Sequence, residues 1–298
     1  MSSGLSPTRN SVPRVAFGQL NRLVHADDRI VLGALFAILF CRDFGPNIFA
    51  GFTSLFAGSE FVGSRTLGGA EILGFVAIAL IIKDLKTDRV LSRWDVLAAV
   101  GVAIAVLCFS HAIAAIGLTC LGLLFVTRSD KRIASLGQLC IGLAWIGFWG
   151  ALVLFVIKPW LLPIETALAF APLSLFGSFS LEGIVISNTS GHAIEVLEPC
   201  SAFHNTIVTA FIWLSTIKIL KLHLHLKHFY ILAIALGFVV VLNTARIGVM
   251  AISEKQYLFW HVGPGLLIVK VVMLSAVFGL FYFGLDHVRR RGVTAATP

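Results

Sequence analysis

Long apolar runs separated by short basic segments set the pattern of this chain. The apolar stretches cover roughly 30–57 with a polar interruption, 67–82, 96–126, 134–157, 201–217, 229–247 and 263–285. Between and around them lie clusters of Lys and Arg. These are Arg9 to Arg29; Lys83, Lys86, Arg89 and Arg93; Arg128, Lys131 and Arg132; Lys218, Lys221 and Lys227; and Arg289 to Arg291. A helix needs about 20 apolar residues to cross a bilayer, so the pattern predicts an all-α polytopic membrane protein.

Lys and Arg hold loops on the cytoplasmic side. With every basic cluster on that side, an even number of spans separates each neighbouring pair. One helix over 96–126 would rise about 46 Å, against a hydrocarbon core of about 30 Å. The parity rule therefore predicts two short spans there, with an outer turn near Ser110-His111. Two spans fall in 30–82, the first weakened by Arg42 and Asp43. Pairs at 134–157 with 201–217, and at 229–247 with 263–285, bring the expectation to about eight spans with both ends inside. Residues 1–29 carry no apolar core of a cleavable signal and read as a cytoplasmic tail. Residues 30–298 then form a single membrane-embedded domain.

The stretch 158–200 is expected outside. Trp160 to Phe176 is apolar but contains Pro163, Glu165 and Pro172, which predicts an interfacial or re-entrant segment. Segments 183–186 and 192–196 alternate like strands about a turn at 188–191, which predicts a small β-hairpin. Asn188-Thr189-Ser190 fits the N-glycosylation pattern.

Composition strengthens the membrane reading. Apolar residues make up 58% and charged residues 13%, where a soluble domain carries about 25% charged. The net charge of +8 is topological and gives no reason to invoke nucleic acid. No CxxC or zinc spacing joins the five cysteines, so neither a disulfide framework nor a structural metal is indicated. Cys41, Cys108, Cys120 and Cys140 read as packing residues. His223, His225 and His228 do not match a usual metal-site spacing, and no cofactor is expected.

Three segments carry candidate chemistry. Pro199-Cys200-Ser201-Ala202 precedes a helix that enters the membrane, a place where the helix dipole and unpaired N–H groups favour a nucleophilic thiolate. Asn243 and Arg246 lie three apart on one helix face, at the outer end of their span. His261, beside Trp260, precedes the last span, again outside. Taken singly, each has a structural alternative: a packed Cys, a snorkelling Arg, an interfacial His. Topology brings all three to one membrane face. There a Cys can form a thioester, a His can move the thiol proton to the leaving amine, and an Arg can donate to the oxyanion.

With Cys200-Ser201, then Asn243 and Arg246, then His261 and Gly265, the chain resembles the exosortase/archaeosortase family of membrane transpeptidases over about 173–285. The resemblance implies a membrane cysteine peptidase in the inner (cytoplasmic) membrane, with its site on the extracytoplasmic side. Its partners would be exported, membrane-anchored proteins ending in a sorting motif, a transmembrane helix and a basic tail. Cys200 would be the nucleophile, Arg246 the oxyanion donor and His261 the proton carrier. Asn243 would orient Arg246 or a substrate carbonyl. Ala202 stands where the family usually has Gly, and Pro199 where a small residue is usual. His204, one turn from Cys200, is a rival general base. A small-solute transporter using Arg246 and Lys270, or a non-catalytic assembly protein, remains the alternative.

Overall fold

A computed structural model describes residues 28–57, 69–85, 91–108, 110–222 and 224–294. The tail 1–27 and residues Lys86, Arg89 and His223 lie outside the described residues. Of the described residues, 81% are helical. In order it contains α1 (Asp28–Ala57), α2 (Gly69–Asp84), α3 (Arg93–Cys108), α4 (His111–Val126) and α5 (Lys131–Ala144). A π-helical turn at Trp145–Trp149 leads into α6 (Gly150–Ser174). Then come β1 (Phe179–Glu182), β2 (Val185–Asn188) and β3 (Ala193–Glu195). The chain ends with α7 (Phe203–Ile219), α8 (Leu226–Ile252), α9 (Glu254–His261) and α10 (Pro264–Thr294).

Helices form in the apolar runs because a helix satisfies its own backbone N–H and C=O groups without water. Caps mark the ends where polar residues interrupt. Asp130 accepts from the N–H groups of Arg132 and Ile133 at the start of α5, and Ser253 accepts from Gln256 N at the start of α9. The turn between α3 and α4 falls at Ser110, which caps α4, as parity required. Each expected span coincides with a helix. Among the described residues, three helical segments are long and apolar enough to cross a membrane: Lys131–Ser174, Leu226–Ile252 and Pro264–Leu285. Trp94–Leu107 and His111–Val126 are apolar but shorter.

Many large apolar side chains point outward, among them Leu107, Phe155, Val241, Val271 and Phe283. So many exposed apolar residues fit a lipid environment and not water. Cys41 and Cys120 are exposed too, while Cys140 is buried. Packing in the protein core therefore accounts for Cys140 but not for the other two.

Two further expectations are corrected. The polar residues near 42 do not interrupt α1, which is continuous from Asp28 to Ala57. The stretch 160–174 is not a separate re-entrant segment. It continues the helix from Lys131 through the π turn to Ser174, over 44 residues, or about 66 Å at 1.5 Å per residue. Pro159, Pro163 and Pro172 lie inside α6. Each removes a single donor, and in an apolar run the flanking helical bonds carry the chain past it. A helix of this length is longer than one bilayer core.

The hairpin is present but has a third strand. β1, β2 and β3 form one antiparallel sheet in that order, with Leu181 opposite Ile186 and Ile186 opposite Ile194. Asn188 starts the turn into β3, and its side-chain amide donates to the carbonyls of Ile252 (2.8 Å) and Ala251 (3.4 Å). That amide ties the sheet to the end of α8, a structural use that competes with any glycan there.

Side chains pack in two cores. The larger joins α1–α5, α7, α8 and α10 around residues such as Phe125, Leu136, Phe211 and Phe281. Within it α4 and α5 meet at Gly122 and Gly137. A Cβ on Gly137 would stand 2.5 Å from Gly122 O and 2.8 Å from Val126 N. Only glycine permits that backbone approach. The smaller core joins the end of α6, the sheet, the end of α8 and α9, and Cys200 belongs to it.

Candidate functional site

Cys200 ends a 3-10 turn, Glu198–Cys200, with Pro199 in its first residues. Proline suits such a position because its fixed φ fits and its missing N–H would have no partner there. Cys200 shares the smaller core with Ala169, Ile194, Val196 and Met250, and it is only 5% exposed. That burial keeps bulk water from the sulfur.

The structure brings the three sequence-identified elements together. Cys200 Sγ lies 3.9 Å from Nδ1 of His261, at the end of α9. The ring of Tyr257, one turn earlier, stacks on His261 at 4.8 Å and 13°, which fixes the imidazole plane. With its proton on Nε2, His261 presents Nδ1 as an acceptor toward the thiol. The chain then reverses at Gly263-Pro264 into α10. A Cβ at Gly263 would lie 2.9 Å from Phe259 O and 3.0 Å from Leu258 O, so this tight exit from α9 requires glycine.

From α8, Asn243 is buried and donates through Nδ2 to Cys200 O at 2.7 Å. Its amide therefore holds the backbone of Cys200, a different task from the one expected of it. Arg246 follows on the same face one turn later and is half-buried. It lies within electrostatic range of Cys200. Its Nε is buried without a hydrogen-bond partner, and no carboxylate pairs with it among the described residues. A guanidinium held near a thiol with unspent donors can bind a carbonyl oxygen there.

His204 sits exposed on the first turn of α7, and a nitrogen of His261 lies within reach of Sγ. Ala202 has φ −68° and ψ −16°, a conformation open to any residue, so the alanine costs nothing in backbone freedom. Lys270 is exposed on α10. His228 is buried and accepts from His225 N through its ring, so these two histidines serve the start of α8. Among the described residues no group of three potential ligands could hold a metal ion.

Sequence reasoning missed Glu165. It counted only as a break in an apolar run. In the structure Glu165 is 6% exposed and accepts from Ser201 Oγ (3.0 Å) and Ala202 N (3.1 Å). Ser201 Oγ in turn accepts from Phe203 N. At the start of α7, Ala202 N is thereby held by Glu165 of α6 and Phe203 N by Ser201. A carboxylate inside a long apolar run was the available signal, since burial of such a group demands partners.

This arrangement predicts a measurable effect. Glu165→Ala leaves a buried hydroxyl and a buried N–H without an acceptor, at about 1–3 kcal/mol each. Local opening around Cys200 should then become more frequent. Alkylation of Cys200 by a small neutral maleimide, followed by mass spectrometry, is expected to speed up about tenfold or more. Glu165→Gln keeps one acceptor and should stay within a few-fold of the unaltered protein. Equal rates in all three proteins would remove Glu165 from this role.

An open groove of about 650 Å³ borders the 3-10 turn. Lys158, Leu162 and Pro163 of α6 form one wall, and Ile184, Leu197 and Pro199 the other. Lys158 Nζ pairs with Glu198 Oε1 at 2.5 Å across it. Comparison with protein-family models, with curated proteins and with solved structures gives no match to this chain.

Proposed function

We propose that the protein is an exosortase-like membrane cysteine peptidase or transpeptidase acting on the C-terminal sorting signal of membrane-anchored exported proteins. The observation that carries the reading is the 3.9 Å approach of His261 Nδ1 to Cys200 Sγ, with the guanidinium of Arg246 near by on α8. In this reading the chain makes eight crossings, the short helices included, and the Cys200 site faces the extracytoplasmic side.

The chemistry follows from the groups present. Cys200 Sγ attacks the scissile carbonyl while His261 takes the thiol proton. The carbonyl oxygen gains negative charge, and the guanidinium of Arg246 stabilises it. The C–N bond then breaks, and the leaving amine takes the proton from His261. The substrate is left as a thioester on Cys200. An acceptor amine, hydroxyl or water attacks the thioester, loses its proton to His261 and frees the thiol. Asn243 holds the backbone of Cys200 throughout. The groove beside Pro199 offers the substrate chain an approach in which its membrane helix stays in lipid.

Capture of the intermediate tests the proposal. Membranes holding the protein and a substrate with motif, transmembrane helix and basic tail are quenched in acid. A hydroxylamine-sensitive adduct on the peptide containing Cys200 is expected. An adduct that forms equally well on Cys200→Ala protein, or processing with no adduct at any time, would overturn it.

A further inference from the structure

We propose that the end of the helix bundle remote from Cys200 binds one anionic phospholipid, its phosphate among Lys131, Arg132, Lys218 and Lys221 and an acyl chain in the adjoining apolar groove. Helix α7 connects the two ends. It starts just after Cys200 and carries Lys218 in its last turn, about 25 Å away along a 17-residue helix. That separation approaches the thickness of a hydrocarbon core. The binding site does not depend on any chemistry at Cys200.

A cavity of about 580 Å³ lies at this end, and all four cations line it together with Asp84. Four positive groups face one carboxylate. Lys221 Nζ pairs with Asp84 Oδ2 at 2.5 Å, and Arg132 Nη1 donates to the Asp84 carbonyl at 2.6 Å. Lys131 and Lys218 pair with no carboxylate among the described residues. The cavity thus carries an excess of positive charge that nothing among the described residues neutralises. Part of its wall is apolar, formed by Ile81, Ile217 and Leu222. A small hydrated anion has no use for such a wall.

The adjoining groove supplies the second half of the argument. It holds about 540 Å³ and is lined by Ile141, Trp145, Ile207, Ala210 and Leu214. It shares Gln138 and Leu224 with the basic cavity, so the two form one continuous site. Gln138 Oε1 is buried at the junction without a hydrogen-bond partner. A hydroxyl on the lipid headgroup or glycerol would supply the missing donor. Cationic cavity, orphaned acceptor and apolar channel, in that order, match a phosphate, a hydroxyl and an acyl chain. Basic pockets between membrane helices hold anionic headgroups by the same physics.

The experiment uses the full chain in nanodiscs of phosphatidylcholine with a graded fraction of phosphatidylglycerol. Native mass spectrometry should show preferential retention of phosphatidylglycerol. The double change Lys131→Gln and Lys218→Gln should weaken retention about thirtyfold, or about fivefold for each charge removed. Lys131→Arg with Lys218→Arg should keep it, and serves as the folded control. Ala210→Phe, which fills the groove, should weaken the diacyl lipid and spare the soluble headgroup glycerophosphoglycerol. Millimolar inorganic phosphate should not displace the lipid. Equal retention of the two phospholipids, full displacement by inorganic phosphate, or unchanged retention in the glutamine double variant would overturn the proposal. None of these readouts involves Cys200, so they stand or fall apart from the peptidase reading.

Discussion

Cys200→Ala is expected to abolish processing of a membrane-anchored substrate while the protein stays folded in the membrane. The substitution removes one sulfur from the small core of Ala169, Ile186, Ile194, Val196 and Ile247. Asn243 still binds the carbonyl of residue 200, because that bond is to backbone, and Glu165 still binds Ser201 and Ala202. Loss of stability should therefore be about 1 kcal/mol, the ordinary cost of a single substitution. Chemistry responds very differently, since no other thiol among the described residues lies in the site. Cys140 is buried in the larger core, and Cys41 and Cys120 lie on α1 and α4, outside the site. Pulse-chase of the substrate reads the processing, and a melting curve in detergent reads the fold. Undiminished maturation by a folded Cys200→Ala protein would remove the thiol from the mechanism. The same variant separates the transporter alternative, because solute flux through a helix bundle would survive loss of one buried thiol.

The fold was legible where a single physical constraint dominated. Apolar runs bounded by Lys and Arg clusters marked the helices, and parity placed the break at Ser110 within 96–126. Legibility failed where two local rules competed. Pro163, Glu165 and Pro172 looked like breakers, yet α6 runs through them because lipid or protein around a helix leaves its backbone no better alternative than itself. Glu165 was then discounted as part of an irregular segment, and its partners Ser201 and Ala202, 36 and 37 positions away, have no local sequence signal. Helix α9 was hidden for the opposite reason. Glu254–His261 is short and mixed in polarity, and its helical form depends on the Ser253 cap and on packing of Tyr257 and Trp260 against the smaller core.

The candidate site was more legible than its surroundings. Cys200, Asn243, Arg246 and His261 carry chemistry that an apolar bundle does not otherwise need, so their presence near one predicted face was informative. What the sequence lacked was the supporting layer. Asn243 binds the backbone of Cys200 and Tyr257 stacks on His261. Such tasks depend on geometry, and an Asn or a Tyr can perform them from many positions.

Arg246 carries the second large effect. Its guanidinium is half-buried on α8, with Nε unpartnered and no carboxylate within salt-bridge distance among the described residues. Holding such a group unpaired is expensive, and the arrangement makes physical sense if a developing negative charge completes it during the reaction. Arg246→Gln removes the charge and is expected to slow thioester formation by about 10²–10³-fold, the range seen when a donor to an oxyanion is lost. KM should change little, because the missing interaction belongs to the transition state. Arg246→Lys keeps a charge but loses the planar fork of donors, so it should recover only part of the rate. Lys270→Gln provides the control. Lys270 is also a cation in an apolar helix, but it is exposed on α10, and its removal should leave the rate within twofold or so of the original. The measurement is the rate of acyl-Cys200 formation in reconstituted membranes at saturating substrate. If Arg246→Gln and Lys270→Gln gave the same rate, the positive charge beside Cys200 would be structural, and the oxyanion would have to be stabilised by backbone N–H groups alone.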